Sequence, residues 1–136
     1  MGNKEEFKEL YKNTMEEFKN NIAYLENIDK EIKQYASVLK DLDAIPECDE
    51  DTRKKLNDVY QKLNNINKKF RKIRKEKEAK KQRLDPYFRV FDIPQSEYVE
   101  TIIELNTLLK KYQPIIGKQI MKCLNYLNDR GIEITL

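Results

Sequence analysis

The chain has 136 residues and a net charge of +3; 38% of its residues are charged, and only 3 are glycine and 4 proline. This length fits one domain, and so few turn residues disfavour a β-sandwich, which needs a turn about every ten residues. No apolar run reaches the ~18 residues of a membrane span, and the first ten residues lack the apolar core of a signal peptide. We therefore expect a cytoplasmic protein of long helices with charged outer faces, and no membrane association.

Charge is distributed unevenly along the chain. Residues 1–52 carry 7 basic and 14 acidic side chains, a net charge of −7, whereas residues 68–83 carry 10 basic and 2 acidic ones, a net charge of +8. An acidic first helix and a basic second helix are compatible with antiparallel packing side by side, although each exposed pair contributes only ~0–1 kcal/mol.

The first segment, residues 4–44, predicts one long helix. Neither glycine nor proline interrupts it, and apolar side chains recur every three or four residues. This is the heptad-like spacing of a helix with one buried stripe. The central members of the stripe are Met15, Phe18, Ile22, Leu25, Ile28, Ile32, Tyr35, Leu39 and Leu42.

A second helix is predicted over residues 50–84. Pro46 disfavours helix at the residue before it, so we expect a turn between the two helices. Asp49 or Asp51 is positioned to cap the second one. Its apolar stripe consists of Leu56, Val59, Leu63, Ile66, Phe70 and Ile73.

The stripe of the second helix is expected to stop before the helix does. Lys77 and Lys80 occupy the positions where the spacing requires apolar residues, so the stripe should end at residue 73. Lys, Arg, Glu, Ala and Gln favour helix, which should therefore continue until the Asp-Pro pair that follows residue 84. Residues 84–95 are rich in aromatic and aliphatic side chains, which predicts a structured connection pressed onto an apolar surface rather than a solvated linker.

The third helical segment is predicted over residues 96–130. Ser96 is a suitable N-cap, Gly131 is a suitable C-terminal cap, and Pro114 marks a kink or a short break. Residues 132–136 alternate like a strand that is too short to be stable alone. The predicted fold is all-α: a long antiparallel, coiled-coil-like hairpin with a third, proline-kinked segment, forming one elongated bundle and a single domain.

The sequence gives no indication of catalysis. It contains no histidine, the commonest general base at neutral pH, and its 3 glycines are too scattered for a phosphate-binding loop. Two cysteines without histidine cannot supply the four ligands of a Cys/His zinc site. We expect no enzyme activity, catalytic residue, metal or cofactor, and we interpret Cys48 and Cys123 as bystanders.

The basic run permits three interpretations. It can be a solvated helix face that balances the acidic first helix, a ridge of cations that binds phosphates of RNA or DNA without sequence preference, or a surface that binds an acidic protein or an anionic lipid surface. In the second case four nearby rings would stack on unpaired bases: Phe70, Tyr87, Phe88 and Phe91. The run has no apolar face, so insertion into a membrane is not expected. The candidate anion-binding residues are Lys68, Lys69, Arg71, Lys72, Arg74, Lys75, Lys80, Lys81 and Arg83.

The apolar stripes also permit two interpretations, a core within the chain or a seam shared with another chain. The first stripe extends over about 35 residues and the second over about 17, so a hairpin alone leaves part of the first helix uncovered. The candidate protein-interface residues are Leu63, Ile66, Phe70, Ile73, Tyr87, Phe88 and Phe91.

Together these patterns predict a non-catalytic scaffold, adaptor or chaperone-like module that binds a protein partner through an apolar helical seam. A two-helix arm alone would be only marginally stable, because its narrow core must offset ~1–2 kcal/mol of ordering entropy per residue. We therefore also expect self-association. The alternative function is nucleic-acid binding by residues 68–83.

Overall fold

The computed structural model describes residues 2–44 and 49–131, and all regular secondary structure in these ranges is α-helical. The helices are α1 (Gly2–Asp43), α2 (Glu50–Val90) and α3 (Ser96–Asp129). The all-α prediction is confirmed. The predicted turn around Pro46 and the strand-like pattern of residues 132–136 lie outside the described residues.

Contacts group the chain into two compact units, and the single domain that we predicted stays a prediction. Unit 1 consists of residues 1–26 and 70–110, and unit 2 consists of residues 27–69 and 111–136. Every helix begins in one unit and ends in the other, so each unit contains a segment of all three helices.

In unit 1, α1 and α2 run antiparallel, as predicted. The Phe7 ring lies 5.2 Å from the Phe88 ring, and the Glu17 carboxylate lies 3.9 Å from the Lys80 ammonium. The partner's residue number falls as the number along α1 rises, which defines an antiparallel pair. The inner faces bury the apolar stripe that the heptad spacing indicated.

In unit 1, α3 packs against α2 and also runs antiparallel to it. The Tyr98 hydroxyl donates a hydrogen bond of 3.2 Å to Asp85, and the Lys77 ammonium donates one to Asn106. Segments of α1 and α3 are consequently parallel, in the up-down-up order of a three-helix bundle.

The predicted end of α2 at residue 84 is wrong, because the helix continues through Pro86 to Val90. Pro86 is exposed, so its ring sits on the outer side of the helix, while Leu84 and Phe88 are buried on the inner side. A proline inside a helix costs ~3 kcal/mol, whereas burial of each large apolar side chain contributes ~1.5–3 kcal/mol. Two buried residues on the last turns are therefore enough to hold the helix together past the proline.

The residues at the end of α2 form an aromatic cluster in unit 1 together with α1 and α3. Phe7 lies within 5.2–6.0 Å of four other rings, and Phe88 packs 4.8 Å from Tyr98. The members are Phe7, Tyr11, Tyr87, Phe88, Phe91 and Tyr98. The predicted connection is thus pressed onto an apolar surface as expected, but much of it is helix.

Unit 2 has a core of aliphatic side chains and four buried tyrosines, Tyr35, Tyr60, Tyr112 and Tyr126. Leu56 and Leu63 of α2 are fully buried, as is Cys123 of α3. The Gln119 side chain is also buried, and its Nε2 donates a hydrogen bond of 2.9 Å to the backbone carbonyl of Ile32.

The start of α2 is capped by Asp49, one of the two predicted capping residues. The backbone N–H of Thr52 donates a hydrogen bond of 2.7 Å to Asp49 Oδ1, as expected of an N-cap. Hydrogen bonding from Thr52 lowers the pKa of Asp49, since it stabilises the carboxylate form.

The ends of α3 agree with the prediction to within one residue. The carbonyl of Gln95 accepts the first helical bond, from Val99, so Gln95 rather than Ser96 is the N-cap. Gly131 has a φ of 70°, the left-handed conformation that glycine adopts after a helix. Between these ends, α3 runs through Pro114 without the predicted short break, and the predicted kink stays a prediction.

Candidate functional site

Most of the predicted interface residues are core residues of their own chain. Leu63 and Ile66 are buried in unit 2, and Phe70, Ile73 and Phe88 are buried in unit 1, with at most 6% of any of these residues exposed. A third helical segment covers the hairpin stripe in each unit. The stripe is therefore not available to a partner, and the predicted seam interface is corrected to a core.

The remaining two predicted interface residues are half-buried. The rings of Tyr87 and Phe91 are stacked, with centroids 6.1 Å apart and planes 2° from parallel. Both also contact Phe7, at 5.5 Å and 6.0 Å. They are turned towards α1 and do not project as a free aromatic motif.

The predicted anion-binding residues differ in their exposure and in the unit to which they belong. Arg71, Lys72, Arg74, Lys75 and Arg83 are exposed in unit 1, and Lys68 and Lys69 are exposed in unit 2. Lys80 and Lys81 are half-buried in unit 1.

The ion pairs divide the cations of the basic run into two groups. Lys80 pairs with Glu17 of α1 at 3.9 Å, as charge balance requires. Arg71, Lys75 and Arg83, by contrast, have no ion-pair partner among the residues that the structure describes. These three side chains form the basic ridge of unit 1.

The aromatic part of the nucleic-acid prediction is contradicted for Phe70 and Phe88, which are buried. No base can stack on a buried ring, so these two rings add nothing to the electrostatic contact that the basic ridge offers phosphates. Tyr87 and Phe91 are half-buried and contact each other and Phe7, and stacking on them stays a prediction.

Lys77 is a buried lysine that interrupts the apolar core of unit 1. Only 6% of the residue is exposed; its ammonium donates a hydrogen bond to Asn106 Oδ1 and lies 3.4 Å from Glu78. Contrary to prediction, the buried stripe of α2 does not end at residue 73 but passes through Lys77 to Leu84. The heptad spacing already contained this signal, because it placed residue 77 on the inner face.

A pair of carboxyl groups lies near Lys80. Burial is the main reason why the pKa of Glu17 is raised, and a hydrogen bond between Glu17 and Glu76 adds to the shift. Lys80 and Lys72 act in the opposite direction, since a nearby positive charge favours the carboxylate. Glu17 of α1 and Glu76 and Lys80 of α2 thus connect the two helices in unit 1.

An open groove of about 450 Å³ runs between α2 and α3 in unit 1. Its floor consists of Phe88, Tyr98 and Ile102, all buried. Its α3 wall carries Val99 and Ile103, which are 44% and 58% exposed and lie one helical turn apart. We call this the α2–α3 groove.

The opposite wall of the α2–α3 groove is charged. Lys81, Asp85 and Arg89 of α2 line it, and neither cation has an ion-pair partner within residues 2–44 and 49–131. Asp85 accepts the hydrogen bond from Tyr98, whose pKa is raised by burial and by the Asp85 charge. The phenol therefore stays protonated and holds Asp85 against α3.

Sequence reasoning missed this groove, although the third segment carries Val99 and Ile103 next to the apolar residues Ile102 and Leu105. A helix in a three-helix unit buries only one stripe, and Val99 and Ile103 lie beside that stripe rather than on it. Apolar residues beside the buried stripe of α3 were therefore the sequence signal for an exposed apolar patch.

The described residues contain no group of three side chains suited to a metal ion, and no helix among them could cross a membrane. Cys123 is buried, and burial raises the pKa of its thiol to about 11, so the reactive thiolate is scarce at neutral pH. Cys48 lies outside the described residues. Comparison with family models, with curated proteins and with solved structures found no match to this chain.

Proposed function

We propose that this chain is a non-catalytic interaction module that binds one helix of a partner protein in the α2–α3 groove. The observation that carries the proposal is the exposure of Val99 and Ile103, one turn apart, above a floor of buried apolar side chains. A partner helix presents apolar side chains at the same spacing and covers both residues at once.

The shape of the groove favours a helix over a small molecule. The groove is open to solvent along one side, so a small ligand would leave much of its own surface in water, whereas ligand pockets usually enclose most of the ligand. A helix lying along it would bury two aliphatic side chains, each contributing ~1.5–3 kcal/mol when fully buried.

Site-specific photocrosslinking in cells that produce the chain tests this proposal. A benzophenone amino acid placed at position 99 or 103 should form an adduct with the same partner protein. The matched control is position 121, because Met121 is 53% exposed on the same helix but lies in unit 2. Adducts of equal yield at 121, or none at 99 and 103, would contradict the proposal.

A binding measurement with the purified partner completes the test. Ile103→Asp should weaken binding at least tenfold, because it places a charge against an apolar surface. Met121→Asp should leave binding unchanged, and circular dichroism should show that both variants keep their helix content. A dimer adduct would identify a second copy of this chain as the occupant of the groove.

Nucleic-acid binding is the second candidate function, because Arg71, Lys75 and Arg83 are exposed without ion-pair partners in the described part of the chain. If the basic ridge binds single-stranded RNA, the logarithm of affinity should fall with the logarithm of salt concentration, by about 0.7 for each phosphate neutralised. Replacing all three residues by Glu should abolish binding.

The matched control replaces three exposed lysines of α1, Lys4, Lys8 and Lys12, by Glu, which changes the net charge equally. Equal loss of RNA binding in both triple variants would assign the effect to overall charge and would contradict a specific ridge.

Self-association also remains part of the proposal, although its original reason no longer applies, because neither unit is a thin two-helix arm. Light scattering on a sizing column measures the molar mass directly against the 16.4 kDa of one chain. Cytoplasmic localisation is also part of the proposal.

A further inference from the structure

We infer that the partner helix carries two carboxylates, seven or eight residues apart, on the side that faces α2, with a neutral or basic residue midway between them. This inference rests on the proposed function, because it specifies the chemistry of the helix that occupies the α2–α3 groove.

The two walls of the groove favour different side chains on two sides of the partner helix. The α3 wall offers Val99 and Ile103, which favour an apolar stripe. The α2 wall offers Lys81 and Arg89, which are eight residues apart and therefore ~12 Å apart along the helix axis. A partner helix parallel or antiparallel to α2 matches this distance with carboxylates at positions i and i+7 or i+8.

Both cations are available for such pairs. Neither forms an ion pair among the described residues, while other lysines, such as Lys80 and Lys72, do. Lys81 is half-buried in the groove wall, where a carboxylate would be less screened by water than at a fully exposed site. The Arg89 guanidinium can hold a carboxylate through two parallel hydrogen bonds.

Asp85 determines what lies between the two carboxylates. It is located midway between Lys81 and Arg89 on the same wall and is held there by the hydrogen bond from Tyr98. A carboxylate opposite Asp85 would be repelled, whereas glutamine or lysine would be accepted. The groove therefore favours an acidic–neutral–acidic pattern rather than negative charge in general.

Peptide display on the purified full-length chain tests this pattern. The probe is a library of 18-residue helical peptides with leucine fixed at helical spacing and with three flanking positions, i, i+4 and i+8, encoded as Glu, Gln or Lys. On the wild-type chain, Glu should be enriched about fivefold at i and i+8, in line with the upper value for one exposed ion pair. Glu should be depleted at i+4.

Matched baits identify the source of the enrichment. Lys81→Glu combined with Arg89→Glu should reverse the preference to Lys at i and i+8. Arg83→Glu, an exposed charge reversal on the same helix that does not line the groove, should leave the Glu preference unchanged. Circular dichroism confirms that each bait is folded.

The outcomes distinguish this inference from the proposed function. If the peptides bind without any preference at the flanking positions, and this binding is lost in the Ile103→Asp variant, the charge pattern is overturned. The proposed binding of a helix in the groove is then retained. Glu enrichment at all three positions would overturn the role of Asp85 and with it the inferred pattern. Failure of every peptide to bind would overturn the inference alone, because the photocrosslinking result decides the proposed function separately.

Discussion

The two units contain the same three helices but differ in what they bury. Unit 2 packs aliphatic residues and four buried tyrosines together with one deep amide, Gln119, whereas unit 1 joins six aromatic rings in one cluster and buries an ammonium, Lys77. Unit 1 also carries the α2–α3 groove and the carboxyl pair near Lys80. A heptad-like stripe therefore suffices to build a helical unit, and the departures from the stripe show where a function is to be sought.

The largest effect is expected in the aromatic cluster that distinguishes unit 1. Phe88→Ala should lower the free energy of unfolding by about 3–5 kcal/mol, because Phe88 is buried and contacts three other rings. Val90→Ala, on the same helix but 73% exposed, should change it by less than about 0.5 kcal/mol. Urea denaturation measures both, and equal effects would show that α2 is not packed beyond Pro86.

The next effect concerns the buried lysine. Asn106→Ala should destabilise the chain by about 1–3 kcal/mol, since it removes the hydrogen-bond acceptor of a buried charge. Lys77→Met should be neutral or stabilising, because an apolar side chain then continues the stripe. A double-mutant cycle should give a coupling energy above about 0.5 kcal/mol, and additive effects would mean that the hydrogen bond is of no energetic importance.

A smaller effect is expected at the buried amide of unit 2. The Gln119 Oε1 atom is buried and finds no partner among the described residues, so the side chain is only half satisfied. Gln119→Met should therefore change the free energy of unfolding by less than about 1 kcal/mol. A loss as large as that of Asn106→Ala would show that the two units depend equally on their buried polar groups.

A pH-dependent effect is expected at Glu17. Because its pKa is raised in the folded chain, the folded state binds a proton more tightly than the unfolded state does at this site. The stability that this proton contributes is present below the ordinary pKa of 4.5 and is lost as pH rises through the raised pKa. Glu17→Gln should make the urea midpoint less dependent on pH above 4.5, while Glu16→Gln, exposed on the same turn, should not.

The smallest effect is expected for the exposed pair of Lys19 and Glu97, whose charged groups are 3.0 Å apart. Both side chains are more than half exposed, so Glu97→Gln should change the free energy of unfolding by less than about 0.5 kcal/mol. Added salt should reduce even this change, and a large salt-insensitive loss would indicate a buried network instead.

Sequence reasoning located α1 and α3 well because apolar residues recur at helical spacing along the whole of each helix. Pro114 in α3 is the only proline within these two helices. It ended α2 too early, because it weighed the local cost of Pro86 but could not see that Leu84 and Phe88 would be buried by other helices. Local rules describe one helix at a time, whereas burial is decided by the neighbours.

The candidate sites were harder to predict for the same reason. An apolar stripe looks alike whether it is covered by its own chain or by a partner, so Leu63 and Phe70 were placed at an interface although they are core residues. The exposure of Val99 and Ile103 depends on how α2 and α3 pack, and residue spacing alone does not specify it.

The claim that the α2–α3 groove is the binding surface can be tested directly by NMR. The ¹⁵N-labelled chain is titrated with a leucine-striped peptide that carries Glu, Gln and Glu at flanking positions i, i+4 and i+8. We predict amide shift changes concentrated in residues 81–89 and 95–103, with none around Met121. Changes centred on Arg71 and Lys75 or on unit 2, or no changes at all, would contradict the account.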